Sequence, residues 1–167
     1  MTSLKNRAGI AGLLCLLLVT GCLAGLAAQD KPAAKAGKSL YHRMGGYDVI
    51  AAVVDDFLGL LRDDPAFKRF GGGRSEGSLK RARQLIVDQI CAATGGPCVY
   101  FGRDMKSSHR GLAITDAEWE SSVKKLAAAL EKNKVGAPEQ KELLDMVEKL
   151  RADIVEKPPA EKTQASN

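Results

Sequence analysis

Every periodic apolar segment between Ser39 and Val155 repeats at the spacing of a helix, and none alternates convincingly as a half-buried strand does. Val49, Ile50, Val53, Val54, Phe57, Leu58 and Leu61 form one stripe. It stops at Asp63-Asp64-Pro65, where Asp64 can cap and Pro65 can take the first position of a short helix. Leu79, Ala82, Leu85, Ile86, Ile90 and Ala93 form a second stripe, ended by Gly95-Gly96-Pro97. Thr115-Asp116-Ala117-Glu118 is a capping box, followed at helical intervals by Trp119, Val123, Leu126 and Leu130. A last helix opens at Pro138 and sets Leu143, Val147, Leu150 and Ile154 on one face. The pattern predicts an all-α domain of four main helices over residues 39–155.

The flanks have a different composition. Lys5 and Arg7 precede an apolar run from Ala8 to Val19, a secretory signal pattern that is short for a membrane span. Leu18-Val19-Thr20-Gly21-Cys22 resembles the lipobox of bacterial lipoproteins, in which the cysteine is lipidated and becomes the mature N-terminus. Leu26-Ala27-Ala28 before Gln29 suits an ordinary signal peptidase, which would release a soluble secreted chain. Either site sends the domain out of the cytoplasm. The expectation is a signal over residues 1–28 and a membrane-anchored lipoprotein facing the periplasm or cell exterior, with secretion as the alternative. Residues 29–38, rich in Ala and Lys, read as a tether, and residues 156–167 as a disordered polar tail.

Charge argues against a nucleic-acid partner. Lys5 and Arg7 are the only charges before Cys22, so their removal lowers the formal net charge from +5 to +3. Acids are interspersed with the bases outside Lys80-Arg81-Arg83, and four Phe, three Tyr and one Trp supply no stacking platform.

The chemistry concentrates between Gly95 and Gly111. A paired-glycine stop, a short loop and then His109 on a new helical turn can present one imidazole to a cofactor. His109 lies four residues after Met105 and three before Leu112, so its face is apolar. Zinc needs about four ligands, whereas the domain offers His42, His109, Cys91 and Cys98 with no Cys-x-x-Cys pair. No Gly-x-Ser-x-Gly elbow supports a catalytic triad. Haem iron requires only one strong protein ligand and an apolar cleft. Neither cysteine belongs to a Cys-x-x-Cys-His run, so the haem expected is non-covalent haem b. In an oxidising compartment Cys91 and Cys98 either form a disulfide across the helix stop or stay reduced.

Several motifs in order carry a specific resemblance: Tyr41-His42-Arg43-Met44-Gly45-Gly46, the Phe-rich corner ending at Phe70, Gly95-Gly96-Pro97 through Tyr100 and Gly102, Met105-Lys106-Ser107-Ser108-His109, and Gly111-Leu112-Ala113-Ile114-Thr115. Together they resemble the group 1 truncated haemoglobins over residues 39–155. The resemblance implies a two-over-two α-helical sandwich, a shortened globin, with His109 as the proximal ligand of the iron. It further implies that Phe70 and Trp119 pack on the haem and that Met105, Leu112 and Ile114 wall the proximal side. The second imidazole nitrogen then needs a hydrogen-bond partner, and a backbone carbonyl near Met105 is the candidate. The propionates call for cations or hydroxyls, with Lys80, Arg81, Arg83, Tyr100 and Arg103 as candidates.

On the distal side the chain departs from the family pattern. Leu58, or Phe57 if the register slips by one, stands where many relatives carry a tyrosine that donates to bound dioxygen. Spacing back from His109 puts Ala82, Leu85 and Ile86 over the haem, with Gln84 and Gln89 as donors only if the helix rotates. Gly71-Gly72-Gly73-Arg74 resembles an insertion ahead of that helix. His42 falls in the first helix, which disfavours a second imidazole on the iron. The resemblance implies reversible binding of O2, NO or CO and, with an unknown reductant, conversion of NO to nitrate as a nitric oxide dioxygenase. A redox or gas sensor using haem and the Cys91/Cys98 pair is the alternative.

Overall fold

A computed structural model describes residues 37–156. The signal, the lipobox with Cys22 and most of the tether and tail lie outside those residues. Among the described residues all regular structure is helical: α1 (Leu40–Met44), α2 (Tyr47–Asp63), a 3-10 turn Pro65–Phe67 running into α3 (Lys68–Gly71), α4 (Glu76–Ala93), α5 (Met105–His109), α6 (Asp116–Lys132), α7 (Ala137–Glu148) and α8 (Arg151–Ile154). Helix α2 packs against both α4 and α6, α6 packs against α7, and α5 lies on α8. This is the all-α, two-over-two arrangement expected.

Local chemistry fixes the helix ends. Ser75 accepts the Ser78 amide to start α4, and Asp64 accepts the Ala66 amide at the Pro65 turn. Thr115 and Glu118 close a reciprocal capping box on α6. At the end of α4 the two glycines divide the work. Gly95 takes the left-handed conformation at φ +82°, and a Cβ on Gly96 would lie 2.5 Å from the Tyr41 ring and 2.7 Å from Cys91 Sγ.

The core is drawn from all four long helices. Ile50, Val53 and Val54 of α2, Val87 and Cys91 of α4, Leu126, Ala129 and Leu130 of α6, and Leu143 of α7 are buried together. Each of the larger of these contributes about 1.5–3 kcal/mol by leaving water.

Two details depart from the sequence pattern. Helix α4 turns Val87, Cys91 and Thr94 into the core, whereas Leu79 of the expected stripe is 44% exposed and Ala82, Leu85 and Ile86 are half-buried. The helix therefore has two apolar flanks, and hydrophobic periodicity alone does not say which meets α2. The last helix does not run unbroken to Ile154. It ends at Glu148 and restarts at Arg151, with the Leu150 amide bonded three residues back to Val147. The break redirects the chain so that Ile154 is buried and Glu156 reaches the loop after His109.

Cys91 and Cys98 are joined as a disulfide with their Cα atoms 5.7 Å apart. The bond ties the buried end of α4 to the loop that leads into α5. Closing so short a loop should stabilise by about 2–3 kcal/mol. Replacing both cysteines with alanine is therefore expected to lower the melting temperature by about 10 °C. Calorimetry of the variant beside the reduced and oxidised wild type checks this, with equal melting of all three as the contrary result.

Candidate functional site

His109 ends a helix of only five residues, well below the length at which an isolated helix persists. Its start is secured by Asp104, whose side chain accepts the Ser107 amide at 2.8 Å. That bond, before all other influences, holds the Asp104 carboxyl below the usual carboxylate range. The imidazole itself is half-buried, with Nδ1 2.9 Å from the Met105 carbonyl oxygen. A carbonyl can only accept, so this bond places the proton on Nδ1 and leaves the Nε2 lone pair for a metal. One strong nitrogen donor in an apolar setting suits haem iron.

Elsewhere the chain carries apolar side chains that the core does not absorb. Phe67, Phe70, Leu85, Met105, Leu112 and Ile114 stand outside the packed core, half-buried except for the exposed Leu112. Phe57, Leu58 and Ile86 are also only half-buried, at the core's edge. Apolar groups left part-way in water are what a flat, greasy cofactor would cover. The residues present thus fit haem both in their ligand and in their uncovered apolar surface.

Placement of the other expected residues varies. Phe70 lies beside the loop after His109, because Arg69, whose guanidinium stands 4.0 Å over the Phe70 ring, also donates to the Leu112 and Ala113 carbonyls. Phe67 packs 5.9 Å from Phe70, centroid to centroid, and belongs to the same corner. Trp119 is buried, with its indole N–H donated to Glu148 at 3.2 Å. It lines an open depression together with Val123 and the charged Glu120, Lys124, Glu148 and Arg151.

The expected propionate partners are mostly committed elsewhere. Arg83 makes a two-pronged pair with Asp55 at 2.8 Å, which raises its own pKa and holds the aspartate below its ordinary range. Lys80 pairs with Glu76 one turn away at 2.7 Å. The Tyr100 hydroxyl, expected to meet a propionate, instead donates to the Arg103 carbonyl at 2.6 Å. Its ring folds over Gly102, where a Cβ would lie 2.2 Å away, so the Tyr-x-Gly spacing serves the turn. Arg81 and the Arg103 side chain are exposed.

On α4, Gln84 donates to the Tyr47 hydroxyl of α2 at 2.9 Å and to Asp88 at 2.8 Å, so its amide is engaged by these two partners. Gln89 is half-buried one turn beyond Ile86 and remains the glutamine nearest that flank. His42 is exposed on α1 and bonded to Ser39 at 2.7 Å.

Sequence reasoning missed two charged residues at this site. Arg69 and Glu156 converge on the loop after His109 from more than 40 residues away, and Glu118, read from the sequence only as part of a capping box, holds Arg69. No local pattern marks such a meeting.

A family model described as bacterial-like globin matches residues 39–156. The group 1 truncated hemoglobin GlbN of Mycolicibacterium paratuberculosis is 31% identical over 116 residues, covering 70% of this chain and 83% of that protein. The group 1 truncated hemoglobin LI410 of Chlamydomonas moewusii is 27% identical over 113 residues, 66% of this chain and 64% of its own length. Among solved structures, the truncated hemoglobin of Tetrahymena pyriformis in its Fe(III) form superposes with a TM-score of 0.66 at 23% identity, covering 72% of this chain and all of that one. The chain belongs to the bacterial-like globin family, within its group 1 truncated haemoglobins, whose cofactor is haem b.

Proposed function

We propose that this chain is an exported, lipid-anchored globin that binds small gases reversibly at a haem held by His109. When bound, haem b supplies an iron that takes O2, NO or CO at its open position. The observation that carries the reading is the His109 ring, whose Nδ1 proton on the Met105 carbonyl orients Nε2 as the ligand. The bonding of His42 to Ser39 on α1 supports an iron with one imidazole rather than two.

The distal residues decide which gas is favoured. Leu58, Ala82, Leu85 and Ile86 carry no donor, and dioxygen loses more from that lack than NO or CO does. Turning NO into nitrate draws on retained dioxygen and on an electron donor. An apolar distal side works against the first, so reversible binding is the reading preferred over NO turnover. Placement outside the cytoplasm rests on the signal pattern and the lipobox ending at Cys22.

The test is to isolate the protein from detergent-extracted membranes, determine the mass of its N-terminal peptide and mix the reduced haem form with each gas. Diacylated Cys22, ready binding of NO and CO, and fast dissociation of O2 are expected. A chain beginning at Gln29 would remove the anchor, and a reduced spectrum indifferent to CO and NO would remove gas binding.

A further inference from the structure

The loop Gly111–Ile114, immediately after His109, is gripped from two sides. On one side the Glu156 carboxylate accepts the amides of Gly111 and Ala113, the latter at 2.9 Å, and the Glu156 amide donates to the Ile114 carbonyl at 2.9 Å. On the other, the Arg69 guanidinium donates to the carbonyls of Leu112 and Ala113, the latter at 3.0 Å. Arg69 is in turn fixed by Glu118, whose oxygens lie 2.8 and 2.9 Å from Nη2. Glu118 itself is anchored in the capping box of α6, where its carboxylate accepts the Thr115 amide.

Ala113, held by both clamps, sits at φ +47°, a left-handed conformation that disfavours any side chain. Backbone of this kind persists where its surroundings over-determine it. The packed core does not demand it, because no residue of Gly111–Ile114 belongs to the core. What the loop does adjoin is the end of α5, where the Leu112 amide bonds back to the His109 carbonyl at 3.1 Å.

We propose that Arg69 and Glu156 are positioning residues for the His109 imidazole. By clamping the loop they fix the C-terminal end of a helix too short to hold itself, and with it the direction of Nε2. They thereby set the strength of the iron–imidazole bond and the rate at which haem escapes. Arg69 also touches the Phe70 ring, so the same side chain ties the aromatic corner to the proximal loop. The proposal rests on His109 being the haem ligand.

Arg69→Gln and Glu156→Gln in the full chain test it with three readouts. These are amide exchange at Gly111 and Ala113 in the haem-free protein, haem transfer to excess apomyoglobin, and the iron–histidine stretching band of the reduced protein. Faster exchange, roughly tenfold faster haem loss and a shifted or broadened band are expected, in the range seen when partners of a metal ligand are removed. Arg69→Lys, which keeps the charge and loses the fork, should fall between wild type and Arg69→Gln. Should Arg69→Gln fail to fold, Glu156→Gln decides alone, since Glu156 lies beyond the last helix and outside the core. Accelerated exchange with unchanged haem loss and an unchanged band would overturn the clamp. Unchanged haem binding in His109→Gly would instead overturn the ligand assignment on which it rests.

Discussion

His109→Gly is expected to strip the domain of its haem, weakening retention by more than the roughly 10–100-fold that follows loss of a metal ligand's supporting partner. The Met105 carbonyl and the Asp104 cap organise only this one ring, and His42 is held at α1 by Ser39. Glycine at this position leaves a gap that free imidazole can fill. Added imidazole should therefore restore both the Soret band and CO binding, while the helical signal stays unchanged throughout. Titrating the haem-free variant with hemin, with and without imidazole, is the measurement. A Soret band as strong and as tightly held as in the wild type would show that another group carries the iron.

Installing the missing donor should have the next largest effect, and it acts on selectivity. Leu58→Tyr places a hydroxyl on α2 at a half-buried position bordering the core. A hydrogen bond to a polarised ligand is worth about 1.5–3 kcal/mol, and each 1.4 kcal/mol is a factor of ten. Dioxygen is thus expected to leave about 10–100-fold more slowly, with CO dissociation changed by no more than a few-fold. The larger side chain should cost about 1 kcal/mol of stability. Stopped-flow displacement of each gas checks the contrast. Equal effects on O2 and CO, or none on either, would mean that position 58 does not face the ligand and that Phe57 holds the distal register.

The disposition of α4 illustrates how far periodicity reaches. Its apolar residues announce a helix from Leu79 onward, yet two flanks are apolar and the pattern scores them alike. Packing on α2 selects Val87 and Cys91, both fully buried, and leaves Ala82, Leu85 and Ile86 on the more open flank. Arg83 and Gln84 follow from the same rotation, the first turned to Asp55 and the second to Tyr47. A basic or amide side chain within reach of a cofactor in sequence is thus drawn away by a partner on the neighbouring helix.

Tyr100 makes a related point in a loop. The Tyr100 hydroxyl reads as a candidate partner for a propionate, but the tight turn at Gly102 brings that hydroxyl onto the Arg103 carbonyl. Its proton is used before any ligand arrives.

What the chain's letters determined by themselves is everything governed by neighbours along the backbone. The long helices, the Asp64 and Thr115 caps, the glycine stop at Gly95 and a single apolar-faced imidazole at 109 all follow from interactions spanning four residues or fewer. Tertiary structure alone decided which flank of α4 is buried, where the last helix breaks, and the meeting of Arg69 with Glu118 and of both Arg69 and Glu156 with the loop after His109. Those contacts join residues more than 40 positions apart, and their strength depends on the geometry of three-dimensional packing, which no local pattern encodes.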